Sequence, residues 1–259
     1  MSGKRKHFIE ERQAVILKLV REQERVTVKE LCDRFGISVA TVRGDLDQLE
    51  RMGKLRRTHG GAIASERDGT PLPFGTRRMY YGAEKRAIGK AAAEMITDGE
   101  AVFIDGGTTA AEMRFFLADK SGVTIITPSI DVASWLVGST SVSVYLLNGF
   151  LNRDSLSTVG APCLDAWREK IISKAFCGAA GFTLADGLTD LDVGFTDQKR
   201  VICEQARAVI GLVDHSKIGV TSLASFAAAQ DVDAIVTDRP LPPDMAAAAA
   251  ERGIEIVLS

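Results

Sequence analysis

The chain has 259 residues, 46% hydrophobic and 25% charged, with a net charge of −2, which is ordinary globular composition at a length that suits two domains and argues against disordered or fibrous classes. The charge is uneven: residues 1–62 hold 14 Lys/Arg against 9 Asp/Glu and the remainder 18 against 25, so a basic front that suits a polyanion precedes an acidic body. Cys32, Cys163, Cys177 and Cys203 show no C-x-x-C spacing and no stretch approaches membrane length, which argues against a zinc site, a disulfide framework or a membrane partner, and no cofactor is expected.

The start, Met1-Ser2-Gly3-Lys4-Arg5-Lys6, is basic, but Phe8-Ile9-Glu10-Glu11-Arg12 follows in place of the apolar core of a secretion signal, so a cytoplasmic protein with free, buried thiols is expected. Residues near 9–24 place Ile9, Ile16, Leu19 and Val20 at helical spacing. A second helix starts at Thr27, whose side chain forms a capping box with Glu30, while Val26 and Leu31 form a hydrophobic staple. Gly36 stops it, and Ser38 caps a third helix over 39–52 with Val39, Val42, Leu46 and Leu49 inward, ended by Gly53. Two capped helices across so short a turn make a helix-turn-helix.

Leu55-Arg56-Arg57-Thr58 and Ala62-Ile63 around Gly60-Gly61 read as a hairpin wing. Residues 1–63 thus form a winged helix-turn-helix, and residues 64–82, with Pro71 and Pro73, read as an extended linker. The third helix, about 21 Å long at 1.5 Å per residue, fits a major groove. Its outer face carries Ala40, Thr41, Arg43, Gly44, Asp47, Gln48 and Arg51. The candidate DNA-contacting set is Thr27, Ser38, Thr41, Arg43, Gln48, Arg56, Arg57, Thr58 and His59, with Lys4, Arg5 and Lys6 as further phosphate contacts.

From residue 83 to 259 helices and strands alternate. A helix covers 83–97, and strands are expected at Ala101–Asp105, Val123–Thr127, Val142–Leu147, Ala175–Gly178, Ala208–Asp214, Ala234–Thr237 and Ile254–Leu258, giving an α/β domain with a mainly parallel sheet. Asp105-Gly106-Gly107-Thr108-Thr109 ends a strand and opens a helix. Its glycines allow close backbone approach, and its N–H groups and hydroxyls suit a phosphate. Asp214 and Lys217 also follow a strand, and Lys199 lies in a helix beginning near Phe195. Ligands of such sheets bind at the carboxyl ends of strands, so the candidate effector-binding set is Asp105, Gly106, Gly107, Thr108, Thr109, Lys199, Asp214 and Lys217. In this reading the lysines face the phosphate and the aspartates the sugar hydroxyls.

Glu11-Arg12-Gln13, Val26–Leu31, Phe35–Ser38, Thr41-Val42-Arg43, Asp45-Leu46 and above all Arg57-Thr58-His59-Gly60-Gly61-Ala62 resemble the DeoR family of bacterial regulators, a likeness that runs through nearly the whole chain. The resemblance implies a second domain similar to ribose-5-phosphate isomerase that senses phosphorylated sugars or related derivatives, with Asp105–Thr109, Lys199 and Asp214–Lys217 matching the family's motifs. Some positions depart from the family pattern. Gly44 stands where a second arginine is usual, and His215 replaces a serine. Thr127-Pro128-Ser129 replaces T-N-S, and Asn148-Gly149-Phe150 replaces a Gly-Gly pair.

The expectation is a DNA-binding regulator, a repressor of a carbohydrate operon relieved by a phosphorylated sugar. Its partners are a double-stranded operator and copies of itself, as a dimer or tetramer matching repeated half-sites. The alternatives are a sugar-phosphate isomerase fused to a DNA-binding head, with Asp186, Asp190 and Asp192 as the available general bases, and an adaptor that uses the three-helix head to bind proteins.

Overall fold

The structure, a computed structural model, describes residues 2–23, 25–52, 54–58, 60–64, 74–160 and 170–259. Two compact units, Met1–Leu72 and Pro73–Ser259, divide the chain.

The first unit runs α1 (Ser2–Gln23), β1 (Arg25–Thr27), α2 (Val28–Phe35), α3 (Val39–Arg51), β2 (Leu55–Thr58) and β3 (Gly61–Ala64). Helix α1 starts seven residues before its apolar pattern does, because the Lys/Arg-rich opening has good helix propensity without any periodicity to reveal it. Lys4, Arg5 and Lys6 therefore sit on helical backbone. The capping box is present: the Thr27 hydroxyl accepts from the Glu30 N–H at 3.1 Å, and Glu30 Oε2 accepts from the Thr27 N–H at 2.7 Å. Helix α2 ends at Gly36, and Ser38 accepts from the Thr41 N–H to start α3. Ile16, Leu19, Val20, Val26, Leu31, Val42, Leu46, Leu49 and Leu55 form the core. Val39, expected on the buried stripe, is 48% exposed, because at the first position of α3 it lies beyond the packed turns.

The wing has one more strand than the sequence suggests. Strand β3 lies between β2 and β1 in an antiparallel sheet, so the extended residues between α1 and α2 complete it. Gly61 faces Thr27 in this pairing, and a Cβ there would lie 1.9 Å from the Val26 carbonyl oxygen, so only glycine lets the strands meet. Gly53, His59, Cys163 and residues 65–73, including Pro71 and Pro73, lie outside the described residues.

The second unit begins with α4 (Phe74–Met79) and α5 (Gly82–Glu94). Helix α4 corrects the linker reading over 74–79. Phe74 is buried in the core of this unit, and its N–H donates to the Asp154 carbonyl at 2.6 Å. Six residues with one buried apolar side chain are too few to show a period, so sequence alone left them extended.

Next come β4 (Ala101–Ile104), a 3-10 turn (Ala110–Phe116), β5 (Thr124–Thr127), α6 (Ile130–Ser139), β6 (Ser143–Leu146), β7 (Phe150–Asn152), β8 (Ser157–Val159) and β9 (Lys174–Gly178). They are followed by β10 (Gly181–Thr183), β11 (Gly187–Asp190), α7 (Val193–Gln205), β12 (Val209–Leu212), β13 (Ala224–Ala227), β14 (Ala234–Thr237), α8 (Pro243–Glu251) and β15 (Glu255–Leu258). A seven-stranded sheet has the order β15-β14-β12-β9-β4-β5-β6, and every pairing in it is parallel. These are the seven strands read from the sequence. Val102 and Ile104 pack into one core with Ile88 of α5 and Leu136 of α6, while Phe103 packs into a second core with Ile202 of α7 and Ala249 of α8. The sheet is covered on both faces, as parallel sheets are. Two smaller sheets complete the unit: the hairpin β7–β8, and an antiparallel sheet in the order β10-β11-β13.

Candidate nucleic-acid interface and effector site

In the head, α3 is bolted to its neighbours from two sides. Asp45 is buried and takes a fork of hydrogen bonds from Arg12 of α1, Nε at 2.5 Å and a terminal nitrogen at 2.9 Å. The carboxylate favours the charged guanidinium and holds the Arg12 pKa above its ordinary value. One turn on, the Gln13 amide donates to Gln48 Oε1 at 2.9 Å. From the wing, Arg57 donates to Asp47 Oδ1 at 2.5 Å and to the Arg43 carbonyl at 3.1 Å, while its own N–H donates to Glu50 at 2.7 Å.

These contacts redistribute the predicted DNA set. Thr41 and Arg43 are exposed on α3, free to face a groove, although the Thr41 hydroxyl lies 2.9 Å from that of Ser38. Thr27 and Ser38 act as helix caps with their hydroxyls engaged. The Gln48 carbonyl oxygen accepts from Gln13, which holds the amide in place and leaves its second lone pair and its Nε2 for another partner. Arg57 is a clamp between wing and reading helix rather than a free cation. Arg56 and Thr58 lie on β2, where the Thr58 hydroxyl is buried without a partner, and His59 is among the residues not described. The sequence names Arg12, Asp45 and Asp47 but not their pairings, because only the folded head brings α1 and β2 to α3. At Gly44 a Cβ would meet nothing within 4 Å, so the departure from the family pattern leaves open space on the outer face.

In the second unit, β12, β9 and β4 are parallel neighbours, so Asp214, Gly178 and Asp105 lie at the same end of the sheet. Asp105 is buried. Its Oδ1 accepts from the Gly106 N–H at 2.7 Å, and its Oδ2 accepts from the Gly178 N–H at 3.0 Å. Lys199, also buried on α7, reaches Asp105 Oδ2 at 2.9 Å, Asp190 Oδ2 at 2.6 Å and the Gly178 carbonyl at 2.8 Å. Burial opposes its charge, but the two carboxylates outweigh burial and push its pKa up. Burial likewise opposes the charge of Asp190, yet Lys199 prevails and lowers that carboxyl below its ordinary value. Three acceptors satisfy the three N–H bonds of the ammonium. Lys199 is thus internally committed, which corrects its expected place as a phosphate-facing cation.

Thr108 and Thr109 are buried, and the Thr109 carbonyl accepts from the Glu112 N–H three residues on at 3.1 Å, so the loop leads into a 3-10 turn where an α-helix was expected. Gly106 abuts β8, where a Cβ would lie 2.2 Å from the Ser157 hydroxyl oxygen. Asp214 caps the short turn that carries Lys217: it accepts from the Ser216 N–H at 3.0 Å and from the Ser216 hydroxyl at 2.5 Å. His215 shares a 2.7 Å hydrogen bond with Asp238 through Nδ1 and packs edge-on against Tyr81 at 4.8 Å. The Pro128 carbonyl accepts from the Thr158 N–H at 2.8 Å, and Gly149 precedes β7 at φ 152°, so these departures also abut the β7–β8 hairpin.

The carboxylates weighed as isomerase bases have structural partners. Asp186 accepts from the hydroxyls of Thr183 and Thr221, Asp192 caps α7 by accepting from the Phe195 N–H, and Asp190 is paired with Lys199. Cys177 and Cys203 are free thiols 3.8 Å apart in the core, and mutual hydrogen bonding and burial push the Cys177 thiol up. No helix among the described residues is long and apolar enough to cross a membrane.

Comparison with known proteins gives two family matches: a DeoR-like helix-turn-helix domain over residues 12–68 and the DeoR C-terminal sensor domain over residues 82–239. The transcriptional repressor AccR of Agrobacterium fabrum is 35% identical over 88% of this chain and 89% of its own length. The glycerol-3-phosphate regulon repressor of Escherichia coli is 30% identical over 94% and 96%. Among solved structures, ribose 5-phosphate isomerase A from Methanocaldococcus jannaschii aligns with a TM-score of 0.38 at 20% identity, over 52% of this chain and 53% of that one.

Proposed function

Because the chain belongs to the DeoR family of DNA-binding transcriptional regulators, we propose that it represses a carbohydrate operon in the cytoplasm and is released from DNA by a small phosphorylated sugar or related derivative. The observation that carries the ligand half is the buried Asp105–Lys199 pair beside Gly106, just past the carboxyl end of β4, with Asp214 beyond the end of β12 in the same parallel sheet, where α/β sheets take their ligands. The names of the two repressor relatives, one of them after a glycerol-3-phosphate regulon, support repression and a phosphorylated effector. On the DNA side, α3 enters the major groove with Thr41 and Arg43 toward base edges or phosphates, and the basic start of α1 supplies further phosphate contacts. Two heads on repeated half-sites require a homo-oligomer. The effector acts by binding one conformational state of the oligomer more tightly than the other.

The test is a gel shift of the full-length protein on its own upstream region. Retardation should weaken with salt, because phosphate contacts release counterions. Arg43→Ala should weaken specific binding by about tenfold or more, the value of one lost base contact. Addition of the effector should release the DNA. Salt-insensitive retardation, or none at all there and beside sugar genes, would sink the proposal.

A further inference from the structure

Lys199 satisfies Asp105 and Asp190 and has no N–H left for a ligand, while the three groups together keep one negative charge. An anion entering here needs another cation. Close to this cluster, buried polar atoms of three residues have no partner. Gln198, the residue before Lys199, is 2% exposed, and neither its Oε1 nor its Nε2 makes a hydrogen bond. The Ser155 hydroxyl, between β7 and β8, and the Arg77 Nε, on α4, are likewise buried and unmet. Buried groups of this kind are rare and unfavourable in a folded chain unless something else meets them.

A chain of contacts, joined at one place by charge rather than by touch, runs past the three residues. Gly106 abuts Ser157, whose hydroxyl donates to the Ser155 carbonyl at 3.2 Å. Asp154, beside Ser155, accepts from the Phe74 N–H and so ties α4 to the hairpin. Three residues along α4, the charge of Arg77 favours ionised Asp190. Asp190 accepts from Lys199, and Lys199 meets Asp105, next to Gly106. Helix α7, with Gln198 on it, packs against β8.

We propose that this chain of contacts holds a polyhydroxy ligand with one anionic group, Arg77 being the cation that meets the anion, and Gln198 and Ser155 the partners of its hydroxyls. The chemistry matches the three orphans: a guanidinium suits a phosphate or carboxylate, an amide offers both a donor and an acceptor, and a hydroxyl offers either. Arg77 also balances the negative charge left by the buried cluster. The proposal rests on the sensor reading above and extends it to Arg77 of α4, which neither family match covers. Helix α4 thereby becomes part of the ligand site.

Thermal shift of the full-length protein tests this with ribose 5-phosphate, fructose 6-phosphate and glycerol 3-phosphate, each beside its unphosphorylated counterpart. Ligand binding raises the melting temperature by mass action. The wild type should respond to a phosphorylated probe. Arg77→Gln should weaken the apparent affinity for that probe at least tenfold and abolish the preference over the unphosphorylated form. Gln198→Leu, with Gln198→Met as its replacement should it fold poorly, should raise the melting temperature of the free protein and cut the probe-induced rise. A wild-type response matched by both variants places the ligand elsewhere and overturns the inference while the sensor reading stands. A lower melting temperature in free Gln198→Leu and Gln198→Met assigns the amide a structural role and also overturns it. A wild type unmoved by every phosphorylated probe brings down the sensor reading and this inference together.

Discussion

The two units use charge in opposite ways. In the head, ion pairs lie between elements, Arg12 with Asp45 and Arg57 with Asp47, and hold α3 while Thr41 and Arg43 on its outer face stay exposed. In the second unit, Lys199, Asp105 and Asp190 are drawn inside the fold, where each charge depends on the others. A surface that must read a large, rigid polyanion needs a stiff frame with free side chains. A pocket for a small molecule needs shape and desolvation, and buries its charges to obtain them. The difference teaches that stability and recognition are separable in the head and entangled in the sensor.

The largest test of this contrast is Lys199→Met, which leaves two carboxylates buried without their cation. Loss of one member of a buried ion cluster costs about 3–5 kcal/mol. Urea unfolding followed by tryptophan fluorescence reads it selectively, because both tryptophans, Trp135 and Trp167, fall in the second unit's sequence. An unchanged midpoint would mean that the buried cluster is not needed for stability.

Acid should act on the same cluster. Lys199 lowers the Asp190 pKa against the opposing effect of burial, so the unfolded chain binds the proton more readily than the folded one. The stabilisation is complete above the unfolded value of about 3.9 and is lost as the pH falls through the lower, folded value. The fluorescence-detected midpoint should drop as the pH falls from about 5 to about 2, and drop less in Asp190→Asn. A steeper drop in that variant would contradict the assignment.

Smaller effects belong to the head. Asp45→Ala removes two charged hydrogen bonds on Arg12 and should cost about 2 kcal/mol in the head alone. Far-UV circular dichroism should show that loss while the tryptophan transition stays in place; if both move, the two units do not unfold independently. Smallest is Gly44→Ala, which fills open space on α3 and should stabilise the head by about 1 kcal/mol, without loss of DNA binding. A lower melting temperature would assign Gly44 a backbone role absent from this helix.

Legibility in the sequence follows the same division. The seven sheet strands could be read because strands buried on both faces appear as continuous apolar runs, as in Val209–Leu212. The caps at Thr27 and Ser38 could be read because their chemistry is local. Strands β1, β7 and β8 could not, since three residues carry no period. In the candidate sites, Asp105 and Lys199 could be singled out, but not that they meet each other. Asp190 looked like a possible base until its partner was in place. Gln198 is invisible in sequence, because a glutamine on a helix is ordinarily solvated and nothing local announces its burial. Arg57 looked like a free cation for the same reason: Asp47 lies ten residues away and only the folded wing brings them together.

Gly61 has a consequence for how such a head can diversify. Its missing side chain lets β3 run against Val26, and that pairing fixes which residues of β2 and β3 stand opposite one another. A one-residue slip would turn Arg57 to the other side of the ribbon and release its grip on Asp47. The wing is therefore indexed by its backbone pairing to β1, whose Thr27 hydroxyl is engaged in capping α2. Exchanges at Thr41, Arg43 or Gly44, on the exposed face of α3, leave that gauge in place, so the face can vary on a frame that does not have to be rebuilt.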